Sequence, residues 1–308
     1  MPTLLVLAAC AALLGGPMAA APAVEDFAVR IDRPYFVGEQ YRLHGPYLVV
    51  DSLSLTRGRD TQRSEHRRRI DLDLAVRVLE LGPRGHPRRA SVTVHLLTRE
   101  AGGETTALVA PGTVIDAHVE NGKKVFSIQD KTLEGEVEPV LGSISILGLD
   151  DRPSSDDAMG SRERRRLRET WPMRAEEAAK ALSAGAGAFK IDPQNLRGTV
   201  TLAAKKEERQ VPCFEYRYEL EVKAQRIPRE GLPSNMPPGF DHGTLAMTFQ
   251  GTTLLPLDVS LPSLREDQTW DSRLSLSRAV DGSVVTMEMR LLAESHVEAS
   301  LLPQTPGH

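Results

Sequence analysis

The sequence predicts a mainly β protein: long antiparallel meander sheets, arranged as a half-barrel or as two stacked β units, with one or two short helices between the halves. Three observations predict this. Aliphatic and aromatic residues recur at every second position over long runs. One Asn-Gly and one Asp-Gly pair, Asn121-Gly122 and Asp281-Gly282, each separate two of those runs. Strong helix formers are concentrated in one short stretch near residue 180.

The first 23 residues carry no Lys, Arg, Asp or Glu, and polarity begins at Glu25-Asp26. The apolar run from Leu4 to Leu14 has the length of a signal-peptide core, shorter than the ~20 residues of a bilayer span. Ala21-Pro22-Ala23 fits a small-x-small cleavage site. The expectation is an exported protein, periplasmic or extracellular, with residues 1–23 as signal peptide. Only the terminal amine supplies the usual positive start. Leu7-Ala8-Ala9-Cys10 also resembles a lipobox, in which Cys10 becomes a lipid anchor. A buried N-terminal helix is the third alternative. Cleavage after residue 23 leaves Cys213 as the single cysteine, so no internal disulfide forms. Cys213 reads as a buried, inert thiol.

The body of the chain then reads as strands. In Ile70-Asp71-Leu72-Asp73-Leu74-Ala75-Val76-Arg77-Val78 every even position is aliphatic, which puts one face in oil and the other in water. Val92, Val94 and Leu96 continue the pattern. Asn121-Gly122 joins 114–119 to 124–128 with the two positive φ angles of a tight hairpin turn. Residues 137–149 suit either a strand or a short packing helix. Residues 149–157 form a loop by composition, 161–169 a further turn or two of helix, and 175–182 a helix ending near Gly185. Gly185-Ala186-Gly187-Ala188 reads as a flexible helix exit. Val200 and Leu202 open the second set of strands. A looser polar turn at Lys205-Lys206-Glu207-Glu208-Arg209 leads to Phe214-Glu215-Tyr216-Arg217-Tyr218-Glu219-Leu220-Glu221, whose outward face is almost wholly charged. The proline-rich loop 227–242 reads as a surface excursion or a lid. Leu245, Met247 and Phe249 alternate again, and Asp281-Gly282 joins the last hairpin. The expected organisation is an N-terminal β unit (27–149), a linker and helical segment (150–189), a C-terminal β unit (190–300) and a tail (301–308).

Composition limits function. The apolar fraction of 40% and mean hydropathy of −0.28 suit a globular chain. A formal net charge of −4 argues against a dedicated nucleic-acid binder. Arginine runs at 57–69 and 162–168 read as solvated hairpin tips or helix faces. The motifs G-x-S-x-G, H-E-x-x-H, C-x-x-C and the P-loop are missing, so no catalytic, cofactor-binding or metal-ligating residue is assigned and no cofactor is expected. Two constellations could hold a metal. His95, His118 and Asp116 form a crude metal site if their strands bring them together. Asp150, Asp151, Asp156 and Asp157 make an oxygen-rich loop of the kind calcium favours, without EF-hand spacing.

The order of an Asn121-Gly122 hairpin, a short segment, a loop, Trp171-Pro172, a helix and then long strands resembles uncharacterised secreted bacterial β-rich proteins and lipoproteins. More distantly, the one-faced sheets with short helices are similar to the half-barrels of lipoprotein carriers of the LolA and LppX families. The resemblance implies a concave face that holds acyl chains, and it carries over no functional residue. The resulting expectation is a non-catalytic envelope binding protein with a lipid or an envelope protein as partner, not membrane-spanning after cleavage. The alternatives are an interaction protein with a fully packed core and an exported hydrolase.

Overall fold

The computed structural model describes residues 25–144, 146–185, 189–232, 239–280 and 282–302. The N-terminal segment expected as signal peptide, with Cys10, together with residues 186–188, the centre of the proline-rich loop, Asp281 and residues 303–308 of the expected tail, lies outside the described residues.

In chain order the strands are β1 (Asp26–Phe27), β2 (Gln40–Arg57), β3 (Asp60–Leu81), β4 (Pro87–Ala101), β5 (Glu104–Ala107), β6 (Val114–Glu120), β7 (Lys123–Ile128), β8 (Lys131–Thr132), β9 (Arg165–Arg166), β10 (Thr170–Pro172), β11 (Leu196–Glu208), β12 (Val211–Pro228), β13 (His242–Pro256), β14 (Arg265–Val280) and β15 (Ser283–Leu301). The helices α1 (Val137–Ser143), α2 (Ser155–Met159) and α3 (Ala175–Gly185) lie between the two groups of long strands. Thirteen strands form one antiparallel sheet, in the order β10-β11-β12-β13-β14-β15-β2-β3-β4-β6-β7-β8, with β5 appended to β4. Both ends of that path are free, so the sheet is not closed into a barrel. The last long strand, β15, pairs with the first, β2, from Val285↔Arg57 to Leu301↔Tyr41. That seam joins the two groups of strands into one surface.

Local chemistry explains the turns. Asn121 and Gly122 have φ of 49° and 72°, the left-handed pair that a two-residue hairpin needs. Arg209 and Gln210 do the same with φ of 51° and 66°. Here the expected polar turn at 205–209 is displaced. Lys205 to Glu208 continue the ladder opposite Val211 to Phe214, because backbone pairing outlasts the apolar pattern. The alternation Val92, Val94, Leu96 also breaks. Leu74 pairs Val94 while Asp73 pairs Leu96, so His95 is the extra residue of a bulge. Leu96 therefore turns outward and Leu97 becomes the buried residue.

The ambiguous 137–149 region supplies a helix, α1. The expected loop at 149–157 contains α2, started by a capping box in which the Ser154 hydroxyl accepts from the Asp157 amide and the Asp157 carboxylate accepts from the Ser154 amide. The helical turn expected over 161–169 is instead the short strand β9, paired with β1. Glu215, expected on the solvent face, is buried. It is neutralised by Lys206 and by Arg217, whose Nε lies 2.7 Å away. A ladder shift between Leu202 and Ala204 sits directly opposite it.

Two apolar cores flank the sheet's midline. Val137, Val140 and Leu141 of α1 pack with Leu74, Val76, Val92, Ile115 and Phe126. Ala178 and Ala179 of α3 pack with Trp171, Leu196, Val200, Tyr218 and Leu220. Between the β8 edge and the β10 edge the chain contributes α1, and after β10 it contributes α3, so α1 covers one half and α3 the other. Neither covers the middle strands β14, β15 and β2, where Tyr47, Trp270, Met289 and Val297 stay only partly buried.

Candidate functional site

The uncovered midline is a cleft. Alternation on β13 turns Leu245, Met247 and Phe249 to one face. The same face receives Trp270 from β14, Leu291, Ala293 and Val297 from β15, and Tyr41, Leu43 and Tyr47 from β2. Phe126 of β7, Ser143 of α1, Leu182 of α3 and Phe189 close over it. The cleft has a volume of about 900 Å³, at the upper end of the ~300–1,000 Å³ usual for small-molecule sites. β7 and β13 stand seven strands apart in the sheet, roughly 34 Å if it were flat. Their shared lining of one cleft therefore requires the sheet to curve around it. Aromatic contacts stiffen the floor: Phe249 lies 5.3 Å from Tyr218 and 5.6 Å from Trp270, ring centre to ring centre.

A second, polar cavity of about 280 Å³ shares Tyr35, Lys124, Leu149, Arg152, Ser263 and Glu266 with the cleft. It opens between the residues that precede β2, the 147–155 segment and the ends of β13 and β14. We call it the annex. Its charged lining comprises Asp32, Arg33, Lys124, Arg152 and Glu266. Burial, then the charge of Asp267, pushes the Glu266 carboxyl upward against a hydrogen bond from Gln268. Burial also raises the phenols of Tyr35 and Tyr41. The hydroxyls of Tyr41 and Ser263, both residues of the cleft wall, are buried without a hydrogen-bond partner. Such groups ordinarily find one.

Lys124 stands where the two cavities meet. Its Nζ donates to the Gly142 carbonyl at 2.9 Å. Burial, reinforced by the charge of Arg152, lowers its pKa from 10.5 to about 8. The sign of the stability effect follows. Below pH 8 both folded and unfolded chains hold the proton, and the burial penalty is fully present. Between pH 8 and 10.5 the folded chain releases the proton that the unfolded chain keeps, so stability rises with pH. Lys124→Met is therefore expected to be more stable than the parent at pH 7, by on the order of 1–3 kcal/mol. The gain should shrink at pH 10. Urea unfolding at the two pH values checks this, and a gain of equal size at both would assign it to packing instead of charge.

No family model matches this chain, and no curated protein matches it. Among solved structures it is similar to a DUF1329 family protein from Desulfovibrio piger, with 11% identity over 85% of this chain and 84% of that one, at a TM-score of 0.18. It is also similar to the outer membrane protein OprG from Pseudomonas aeruginosa, with 5% identity over 87% of this chain and 99% of that one, at a TM-score of 0.14. Likenesses at these scores carry no argument. No helix among the described residues is long and apolar enough to cross a membrane.

The constellations weighed in the sequence fall elsewhere. His118 pairs in register with Arg89, and Thr93 with Val114. His95 is thus displaced from His118 by about six residues, on the order of 20 Å along the strands. His118 Nδ1 instead meets Asp116 at 3.0 Å, and Asp116 also accepts from Arg89 at 2.9 Å. Asp156 accepts the Ile31 amide at 2.7 Å. Asp157 caps α2 and pairs with Arg84, and these bonds hold its pKa down at about 2. Both carboxylates therefore serve the fold. Cys213 is fully buried, and its thiol is pushed up by burial, then by Glu208. The arginine run at 57–69 lies along the β2–β3 hairpin, where Arg68 and Arg99 share Glu136. The flanks of the proline-rich loop are anchored by the buried Leu232 and Phe240.

The cleft itself escaped the sequence reading. Its floor residues were visible as alternating positions. Nothing in the local pattern said that α1 and α3 would each stop short of the midline. The half-burial of Trp270, an aromatic amid polar residues in Asp267-Gln268-Thr269-Trp270-Asp271, was the nearest signal.

Proposed function

We propose that this protein is a non-catalytic binding protein whose curved sheet holds an apolar chain in the midline cleft. The single observation that carries the reading is an open space of about 900 Å³ walled by aromatic and aliphatic side chains between two packed cores. A structural protein with a completely filled core leaves no such space. Burying apolar ligand surface there is worth roughly 25 cal/mol per Å² before the costs of association. The apolar N-terminal run supports export, and acyl chains are at hand in an envelope.

The test uses the two tryptophans. Trp171 is buried in the α3-side core, with its Nε1 donating to the Met159 carbonyl at 2.8 Å, whereas Trp270 lines the cleft. In a Trp171→Phe protein, Trp270 reports alone. Titration with a dibrominated fatty acid is expected to quench its emission saturably. Absence of quenching in a protein that circular dichroism shows to be folded would remove the proposal, as would self-association that closes the cleft.

A further inference from the structure

We infer that the annex is an anion site, so that the ligand of the cleft is an amphiphile whose carboxylate or phosphate head is held by Arg33, Lys124 and Arg152. The inference rests on the chain-binding reading above and adds the chemistry of the head. Three observations carry it.

The first is continuity. The polar annex and the apolar cleft share six wall residues, so one molecule spans both. The second is charge. Three cationic side chains line the annex against two carboxylates. Asp32 is already engaged, accepting the Ser155 and Asp156 amides at 3.0 and 2.8 Å. Glu266 is half-buried in the wall, and burial pushes its carboxyl upward. The third is Arg33. It is 8% exposed, and its Nη2 is fixed by the Pro256 carbonyl at 2.8 Å. Its Nε and Nη1 are buried without hydrogen-bond partners. The carboxylates that act on it from a distance are occupied: Asp156 with the Ile31 amide, and Asp258 with the amide and hydroxyl of Ser260. A buried guanidinium with two idle donors is expensive. Each idle donor can take one oxyanion oxygen, as a single charge-assisted bond, and Lys124 and Arg152 add charge at the entrance to the chain cleft.

The experiment compares heads on one chain. Hexadecanoate, hexadecyl phosphate and hexadecanol each displace the brominated probe from the Trp171→Phe protein, with inorganic phosphate as a fourth competitor. The expected result is that at least one anionic amphiphile binds about tenfold or more tightly than the alcohol. Lys124→Gln and Arg33→Gln should narrow that gap, weakening the anionic amphiphiles more than the alcohol. If Arg33→Gln does not fold, Lys124→Gln decides. Equal affinities for acid, phosphate and alcohol would overturn the head site while leaving chain binding intact. Variants that weaken all three amphiphiles alike would do the same. Failure of all three amphiphiles to displace the probe would remove the anionic amphiphile itself. Competition by inorganic phosphate as strong as that of the anionic amphiphiles would assign the annex to a free anion and overturn the amphiphile reading.

Discussion

Replacing Ala293 with phenylalanine is expected to lower the affinity for an apolar chain by at least about tenfold and to leave the fold intact. Ala293 sits mid-strand on β15, paired with Trp270 on one side and Val49 on the other, and its side chain looks into the cleft. In a packed core, the added ring would force side chains off their rotamers at a cost of roughly 1–3 kcal/mol. In an open cleft it has somewhere to go. It occupies ligand volume and covers the partly buried faces of Trp270 and Phe249. Stability should therefore hold within about 1 kcal/mol of the parent or rise. Trp270 quenching reads the affinity and urea unfolding reads the stability. Undiminished affinity, or a large loss of stability, would mean that the space beside Ala293 is not the ligand's.

The second large effect concerns the seam that joins the sheet. Gly45 on β2 has φ of +146°, and a Cβ there would lie 1.8 Å from the His296 carbonyl oxygen on β15. The neighbouring Pro46 has no N–H to give. The β15–β2 ladder is correspondingly interrupted between Ser295↔Tyr47 and Glu298↔His44. Gly45→Ala must push apart two backbones in the middle of a continuous sheet and hold an unfavourable φ as well. We expect a loss on the order of 3–5 kcal/mol. Gly58→Ala is the control. Gly58 has φ of +60° with nothing within 4 Å of its added Cβ, so the conformational cost alone, about 1 kcal/mol, remains. Equal losses for the two variants in urea unfolding would show that the seam does not need the close approach.

How much of this was legible in the sequence depends on the range of the interaction. Two-residue alternation is set by the pleat, so Leu72, Leu74 and Val76, and Leu245 and Met247, declared their faces directly. The Asn121-Gly122 hairpin was equally plain, because few residue pairs take two positive φ angles cheaply. The Arg209-Gln210 turn was hidden, since neither residue is glycine and the flanking strands run on through charged positions. The bulge at His95 left no trace in the apolar pattern except the adjacent pair Leu96-Leu97. The signal for α2 was present in Ser154-Ser155-Asp156-Asp157, but five residues are too few for a helical period to emerge. The cleft is a tertiary product. It depends on β15 returning to β2 and on where α1 and α3 stop. The annex cations come from β7, from the segment before β2 and from the crossing segment, and no local spacing links Arg33, Lys124 and Arg152.

The central claim is that a ligand chain lies along the midline strands, between the two halves that α1 and α3 cover. Photo-crosslinking tests it most directly. The intact protein is saturated with a fatty acid carrying a diazirine on its chain and irradiated, and the labelled residues are mapped by peptide mass spectrometry. The predicted label falls on the cleft faces of β13 and β15, at Met247, Phe249, Leu291 and Val297, and is lost in competition with unlabelled fatty acid. Label confined to the opposite face of the sheet, at Arg217, Glu219 or Glu294, or label that resists competition, would contradict it.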